Sequence, residues 1–289
     1  MVSGAPSLRS YRLTTLEDDG ADFRVRPMLI RAPVLRNERL ISDYWQLTLD
    51  APAVADGAQP GQFAMLTIAR QDGLTPLLPR PMALCRWDRA AGSIDVVYRV
   101  VGEGTAALTT WRSGEQMTTV GPLGTGFKLR AGASTILLLG RGIGTCSLTA
   151  LALRGVSEGV RVVAVASRRD KQAAAGAALY GGDGSIEIID VLDTDGSSDP
   201  AAVRRELLRR FDVTGPDQIF VCGSERLLRL AADLGDSHGA EVQVSIEAHM
   251  ACGIGYCHGC SSGAPGLGEE APLVCTNGPA FRVARGALA

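Results

Sequence analysis

Three things are scarce in this sequence of 289 residues: surplus charge, long apolar runs and a secretory leader. Its 29 basic and 31 acidic residues leave a formal net charge of −2, which gives no broad basic field of the kind nucleic acid or anionic lipid would require. No stretch approaches the roughly eighteen uninterrupted apolar residues of a membrane helix. The stretch from Met1 to Asp19 has no apolar centre of the signal-peptide kind. A cytoplasmic protein without nucleic-acid or membrane partners is expected. No pair of side chains reads as a catalytic acid and base. The length itself exceeds what one hydrophobic core usually supports, so several domains are expected. Seven cysteines in a reducing compartment, four of them close together, point to metal chemistry rather than a disulfide frame.

The chain changes texture three times. Residues 1–28 show no sustained period and read as a flexible or partner-bound extension. Short alternating runs follow at 44–49, 62–68, 82–87, 94–100 and 116–120, with turns at Pro60-Gly61 and Ser113-Gly114 and one short helix within 104–111. This spacing predicts a small antiparallel β-barrel over 29–130. From Ser134 the pattern becomes a fully apolar run, a glycine turn and a helical stretch. It repeats as 160–166 then 170–178, 186–191 then 200–210, 218–222 then 224–234, and a last strand at 241–246. That alternation predicts a doubly wound parallel-sheet α/β domain over 131–246 that binds nucleotide. Residues 247–289 are rich in glycine and cysteine and too poor in apolar residues for an ordinary core, so a bound cluster is expected to hold this small domain together.

The cysteines carry the most specific signal. Cys252, Cys257, Cys260 and Cys275 follow one another with gaps of four, two and fourteen residues, the plant-type spacing for a [2Fe–2S] cluster. Gly253, Gly255 and Gly259 allow backbone to approach the sulfides. A structural zinc site is the alternative, although its usual form pairs two short cysteine knuckles and Cys275 stands alone. A Rieske centre would use two histidines, so His249 and His258 read as neighbours rather than ligands.

Four weaker motifs precede it. Arg80-Pro81-Met82-Ala83 offers a cationic fork suited to a diphosphate and a fixed backbone for a flavin. Val97-Tyr98-Arg99 places an aromatic side chain where it could lie against a ring system, and Gly104-Thr105 opens a helix with amides and a hydroxyl for phosphate. Gly140-Arg-Gly142-Ile-Gly144 follows the first α/β strand, but Thr145 stands where a dinucleotide fingerprint would put its third glycine, and Arg141 either meets a phosphate or fills its place. Cys222 ends a buried strand that faces the crevice, where it would sit near a nicotinamide or simply pack. Cys85 and Cys146 read as core. Ser167-Arg168-Arg169 either binds the 2′-phosphate of NADP or forms a solvated loop.

Taken together these segments resemble the electron-transfer subunits of NAD-linked dihydroorotate dehydrogenase, iron–sulfur flavoproteins of the ferredoxin reductase superfamily. The resemblance runs from about Pro33 to Phe281. It includes Pro60-Gly-Gln-Phe63, Gly121-Pro-Leu-Gly124-Thr-Gly126-Phe127, Asp193-Thr-Asp195-Gly-Ser197 and Asn277-Gly278-Pro279-Ala-Phe281. It implies FAD held by the residues at 80–83, 97–99 and 104–105, a [2Fe–2S] cluster on the four cysteines, NAD(H) at the Gly140 loop, and a catalytic flavoprotein partner in a heterotetramer serving pyrimidine biosynthesis. Arg141 and Ser147 depart from the family pattern, which leaves open the same relay for another catalytic chain, without nicotinamide. A non-enzymatic zinc-bound module is the remaining alternative.

Overall fold

Two seven-stranded sheets carry the chain in the computed structural model, which describes residues 12–16, 26–69, 76–173, 178–181, 184–211, 215–263 and 271–284. After β1 (Leu13–Thr15), the first sheet uses β2 (Met28–Ile41), β3 (Tyr44–Asp50), β4 (Phe63–Leu66), β5 (Arg80–Ala83), β6 (Arg86–Asp88), β7 (Ser93–Arg99) and β8 (Gln116–Leu123). Helix α1 (Pro52–Gly57) follows β3 and α2 (Glu103–Leu108) follows β7. The strand order is β5-β4-β8-β2-β3-β7-β6, antiparallel throughout. The sheet curls until β5 approaches β7, as a barrel requires. Alternation drives it: along β7, Ile94, Val96 and Tyr98 turn into the barrel with Leu47, Leu49 and Met117.

The second sheet begins at β9 (Thr135–Arg141), whose residues 136–140 are buried in an unbroken run. It continues through α3 (Thr145–Ser157), β10 (Arg161–Arg168), β11 (Glu187–Leu192), α4 (Pro200–Arg210), β12 (Gln218–Cys222), α5 (Glu225–His238), β13 (Glu241–Ser245) and β14 (Ala280–Val283). Strands β9 to β13 are parallel, and β14 and β1 add antiparallel to the edge, in the order β1-β14-β13-β12-β9-β10-β11. Local chemistry fixes the helix ends. Asp199 caps α4 by accepting the Ala201 N–H at 2.9 Å, with Pro200 at the first helical position. The chain departs from β9 in opposite directions toward β10 and β12, so the carboxyl ends of β9 and β12 form the crevice where ligands of open α/β sheets bind.

The structure revises several sequence-based expectations. The run at 82–87 divides into β5 and β6, and α1 was not foreseen. Residues 13–15 of the N-terminal segment are an edge strand, with Leu13 only 1% exposed; two leucines among polar neighbours give too short a period to read. The helix expected over 170–178 lies partly outside the described residues; of its described part, 170–172 are bend and turn and 178 is helical. The tail does not depend on a cluster alone, because β14 returns to the nucleotide sheet and Phe281 is buried in its core. Among the described residues, no helix is long and apolar enough to cross a membrane.

Candidate cofactor and cluster site

The four tail cysteines group two and two. Cys252 and Cys257 lie together on the outside, and Cys260 and Cys275 lie together in the core beside Leu123 and Val274. Backbone amides point at the sulfurs: Ile254 and Cys257 N–H donate to Cys252 Sγ at 3.5 and 3.4 Å, Gly255 N–H to Cys275 Sγ at 3.1 Å, and Cys275 N–H to Cys260 Sγ at 3.4 Å. Burial works against ionisation of Cys252, yet the donors from Cys257 and Ile254 bring its thiol down to about 7. Burial pushes Cys275 up to about 12, so this inner thiol becomes a thiolate when a cation meets it. Among the described residues no three histidine, cysteine or carboxylate side chains converge as on a single ion. Two pairs suit two irons, each taking two thiolates, better than one tetrahedral zinc. His249 and His258 are both exposed.

The loop is seated on the barrel through Gly253. At φ +73° this position favours glycine, and a Cβ there would lie 2.5 Å from Met65 Cγ and 3.3 Å from Leu123 Cδ1. Met65 in turn pairs across the ladder with Pro81 of β5. The cluster loop is therefore one strand away from the Arg80–Ala83 segment.

That segment meets the start of α2. A Cβ on Gly104 would lie 2.8 Å from both Nε and Nη2 of Arg80. Arg80 Nη1 donates to the Leu78 carbonyl at 2.7 Å, and its other N–H groups have no partner among the described residues. A half-committed guanidinium over a bare backbone suits a diphosphate. Leu77 and Val101, each 75% exposed, flank it and offer apolar cover for the rings of a dinucleotide; Val101 carried no signal of its own in the sequence. These residues fit FAD. Two expected contacts are corrected. Tyr98 is 2% exposed, donates to Asn37 Oδ1 at 2.9 Å and stacks on Trp45 inside the barrel, because strand parity turns it inward while Val97 and Arg99 face out. The Thr105 hydroxyl accepts from Val101 and Gly102 N–H at 3.0 and 3.2 Å, capping the turn rather than waiting for phosphate.

At the crevice, the loop glycines answer mainly to packing. A Cβ on Gly140 would stand 2.7 Å from Thr145 Oγ1, and one on Gly144 would stand 2.8 Å from the Cys222 carbonyl and Gly223 Cα. Gly144→Ala is accordingly expected to cost about 1–3 kcal/mol through overpacking against rigid backbone, which a urea denaturation midpoint would show. Cys222 lies beneath this contact, fully buried; burial pushes its thiol up to about 12, against hydrogen bonds with Ser147 and Ser245. Arg141 runs across the strand ends and donates to Asp193 Oδ2 at 2.6 Å, Asp193 Oδ1 at 3.1 Å and Ser167 Oγ at 3.0 Å. Arg226 joins Asp193 at 2.6 Å.

The Arg141 guanidinium, with Ser198 and Arg226, holds the Asp193 carboxyl well below the usual carboxylate range despite partial burial. A lowered folded-state pKa contributes stability that is fully present above the unfolded value of about 3.9 and fades as pH falls below it. Asp193→Asn should therefore cost roughly 1 kcal/mol at pH 7, discounted for exposure, and far less near pH 2, by urea midpoints at the two pH values. Between the two sheets an open cleft of about 310 Å³ is lined by Tyr44 and Arg99 from the barrel and by Arg141, Gly142, Arg169 and Gly223 from the crevice. Tyr44 was missed in the sequence, where it reads only as the start of a strand. A cationic cleft at the switch point fits a nicotinamide dinucleotide.

A flavin barrel, a doubly wound sheet and a four-cysteine loop define the ferredoxin reductase-like class with an appended iron–sulfur segment. Solved structures of similar fold include the NADH-dependent reduced ferredoxin-NADP oxidoreductase, with a TM-score of 0.71, 22% identity and coverage of 89% of this chain and 91% of that one. Phthalate dioxygenase reductase matches with a TM-score of 0.54 and 17% identity over 73% of this chain and 64% of that one. Residues 247–285 match the model for the iron-sulfur cluster binding domain of dihydroorotate dehydrogenase B. The chain is 34% identical over 253 residues to the dihydroorotate dehydrogenase B (NAD(+)), electron transfer subunit of Bacillus caldolyticus, covering 85% of this chain and 94% of the relative. It is 31% identical over 254 residues to the Listeria innocua protein of the same name, covering 86% and 95%. The chain belongs to the family of dihydroorotate dehydrogenase B electron transfer subunits.

Proposed function

We propose that this chain is the electron-transfer subunit of a dihydroorotate dehydrogenase, joined to a catalytic flavoprotein chain in a hetero-oligomer. FAD would lie on Arg80–Ala83 and Gly104, with a [2Fe–2S] cluster on Cys252, Cys257, Cys260 and Cys275 and a nicotinamide dinucleotide in the cleft beside Arg141. A nicotinamide exchanges two electrons as hydride, a cluster exchanges one at a time, and a flavin does both, which places FAD between them. The protein's own part is positional. Arg80 holds the diphosphate, Met65 and Gly253 bring the cluster loop against the flavin strand, and the amides of residues 254–257 and 275 stabilise thiolate charge. The observation that supports the reading best is the Pro81–Met65–Gly253 contact series, in which the Arg80–Ala83 strand and the cysteine loop both meet Met65. On the far side of the loop, Ile254 and Tyr256 are 56% and 88% exposed around the exposed Cys257, an apolar rim suited to a partner chain.

Co-purification with a dihydroorotate dehydrogenase catalytic subunit tests this directly. Dihydroorotate-dependent reduction of nicotinamide nucleotide is expected only when both chains are present. Activity of the catalytic chain with nicotinamide alone would contradict the assignment.

A further inference from the structure

Beside the cleft, a small buried cluster separate from the larger cores joins Tyr44, Cys85 and Val97 of the barrel to Cys146 and Leu179 of the nucleotide domain. Cys85 follows β5 after one residue, Cys146 is the second residue of α3, and each is 1% exposed. Both thiols are free, and their side chains hydrogen-bond to each other across the seam. Packing alone would accept any small apolar pair there. The two sulfurs also differ. Hydrogen bonds from the Cys146 and Thr149 side chains, with the charge of Arg86, draw the Cys85 thiol down against the opposing effect of burial. Burial holds Cys146 well above the usual thiol range, and Cys85 adds to that. Polar atoms around the pair are left unused: Arg86 Nη2 donates to the Leu179 carbonyl, but Arg86 Nε and the Tyr180 hydroxyl are buried without a partner among the described residues. Tyr180 feels Cys146, Cys222 and Cys85 together.

One thiol favoured to ionise beside a cation, with a second thiol already against it, is the arrangement of an attacking and a resolving cysteine. Burial shuts out bulky thiol reagents and leaves hydrogen peroxide, little larger than water, as the oxidant. We propose that Cys85 and Cys146 form a reversible disulfide, with hydrogen peroxide as the oxidant, that ties the barrel to the nucleotide sheet. The Cys85 sulfur attacks one peroxide oxygen, the O–O bond breaks, and the other oxygen leaves as water with the thiol proton. The Cys146 sulfur then attacks the sulfenic sulfur, the S–O bond breaks, and a second water leaves with the Cys146 proton. The two thiols together lose two electrons and the peroxide gains them. Tyr44 belongs to the same cluster and lines the cleft, so the bond fixes the seam beside which a nicotinamide enters and slows its use. That consequence rests on the relay reading above; the disulfide itself rests on the thiols alone.

The test treats the full chain, loaded with FAD and cluster, with hydrogen peroxide at doses that leave the cluster absorption intact. The remaining thiols are alkylated in denaturant and the peptides mapped by mass spectrometry without reductant. The expected result is a cross-linked species joining the Cys85 and Cys146 peptides, with loss of that pair of alkylatable thiols, restored by dithiothreitol and absent from Cys85→Ala and Cys146→Ala. After peroxide is removed, anaerobic bleaching of the flavin by NADH should be slower in the oxidised chain and recover with dithiothreitol, while bleaching by dithionite is unchanged. Cys85 and Cys146 still alkylated, or Cys146 joined to Cys222 instead, would overturn the inference and leave the relay standing. A disulfide that leaves the NADH rate unchanged would overturn its control of the cleft. A flavin that dithionite bleaches and NADH does not, in the untreated chain, would contradict the relay reading, with the disulfide still decided by the peptide map.

Discussion

Cys257→Ser is expected to abolish electron delivery to the catalytic partner while leaving FAD bound and the fold intact. Cys257 is exposed at the outer edge of the loop, and its N–H to Cys252 Sγ is a backbone contact that serine preserves. Only the thiolate is lost, and a serine hydroxyl does not replace it near neutral pH. Cys275→Ser is expected to do more. That side chain is buried in the core with Leu123, Val274 and Phe281; a hydroxyl there keeps the Gly255 N–H that points at Sγ, but replacing buried sulfur by a polar group costs about 1–3 kcal/mol. The cluster's contribution to holding residues 250–279 is lost as well. Iron-to-flavin ratio, visible absorption and melting temperature separate the two variants: Cys257→Ser should keep native flavin content and nearly native Tm, and Cys275→Ser should lose several degrees. Loss of FAD from Cys257→Ser would mean that flavin and cluster segments fold as one unit.

Arg80→Ala carries the second large effect. The guanidinium spends one N–H group on the Leu78 carbonyl and presents the rest over Gly104. Losing two charge-assisted bonds to a diphosphate lowers FAD affinity by about 100-fold, taking each at roughly 1.5 kcal/mol. Gly104→Ala should weaken binding less, because the added methyl displaces the mobile end of the Arg80 side chain rather than backbone. Flavin fluorescence on dilution reports both. Native affinity in Arg80→Ala would remove Arg80 from the site.

What could be read in the sequence follows from how local the cause is. The cysteine spacing, the apolar strand at 136–139 and the helical stretch that starts at Pro200 are set by near neighbours, and each was legible. So was the order of barrel, nucleotide sheet and cluster loop. Tyr98 was misplaced because its aromatic character was weighed above strand parity, although Ile94 and Val96 already marked its face as inward. Arg141 and Asp193 were each noticed, but their ion pair joins adjacent strand ends and depends on register. The same holds for Met65 and Gly253, on which the relay depends: neither residue type announces a contact made across a ladder and a loop from another part of the chain. Leu13 and Leu16 reach the core only because β14 provides an edge for β1 to join.

Anaerobic reductive titration of the isolated full chain with dithionite, followed by visible absorption, tests the central claim most directly. One FAD and one [2Fe–2S] cluster in electronic contact predict uptake of about three electrons per chain, two by flavin and one by cluster, with both absorption bands bleaching in the same protein. Uptake of two electrons with no cluster band, or a colourless chain carrying zinc, would contradict it.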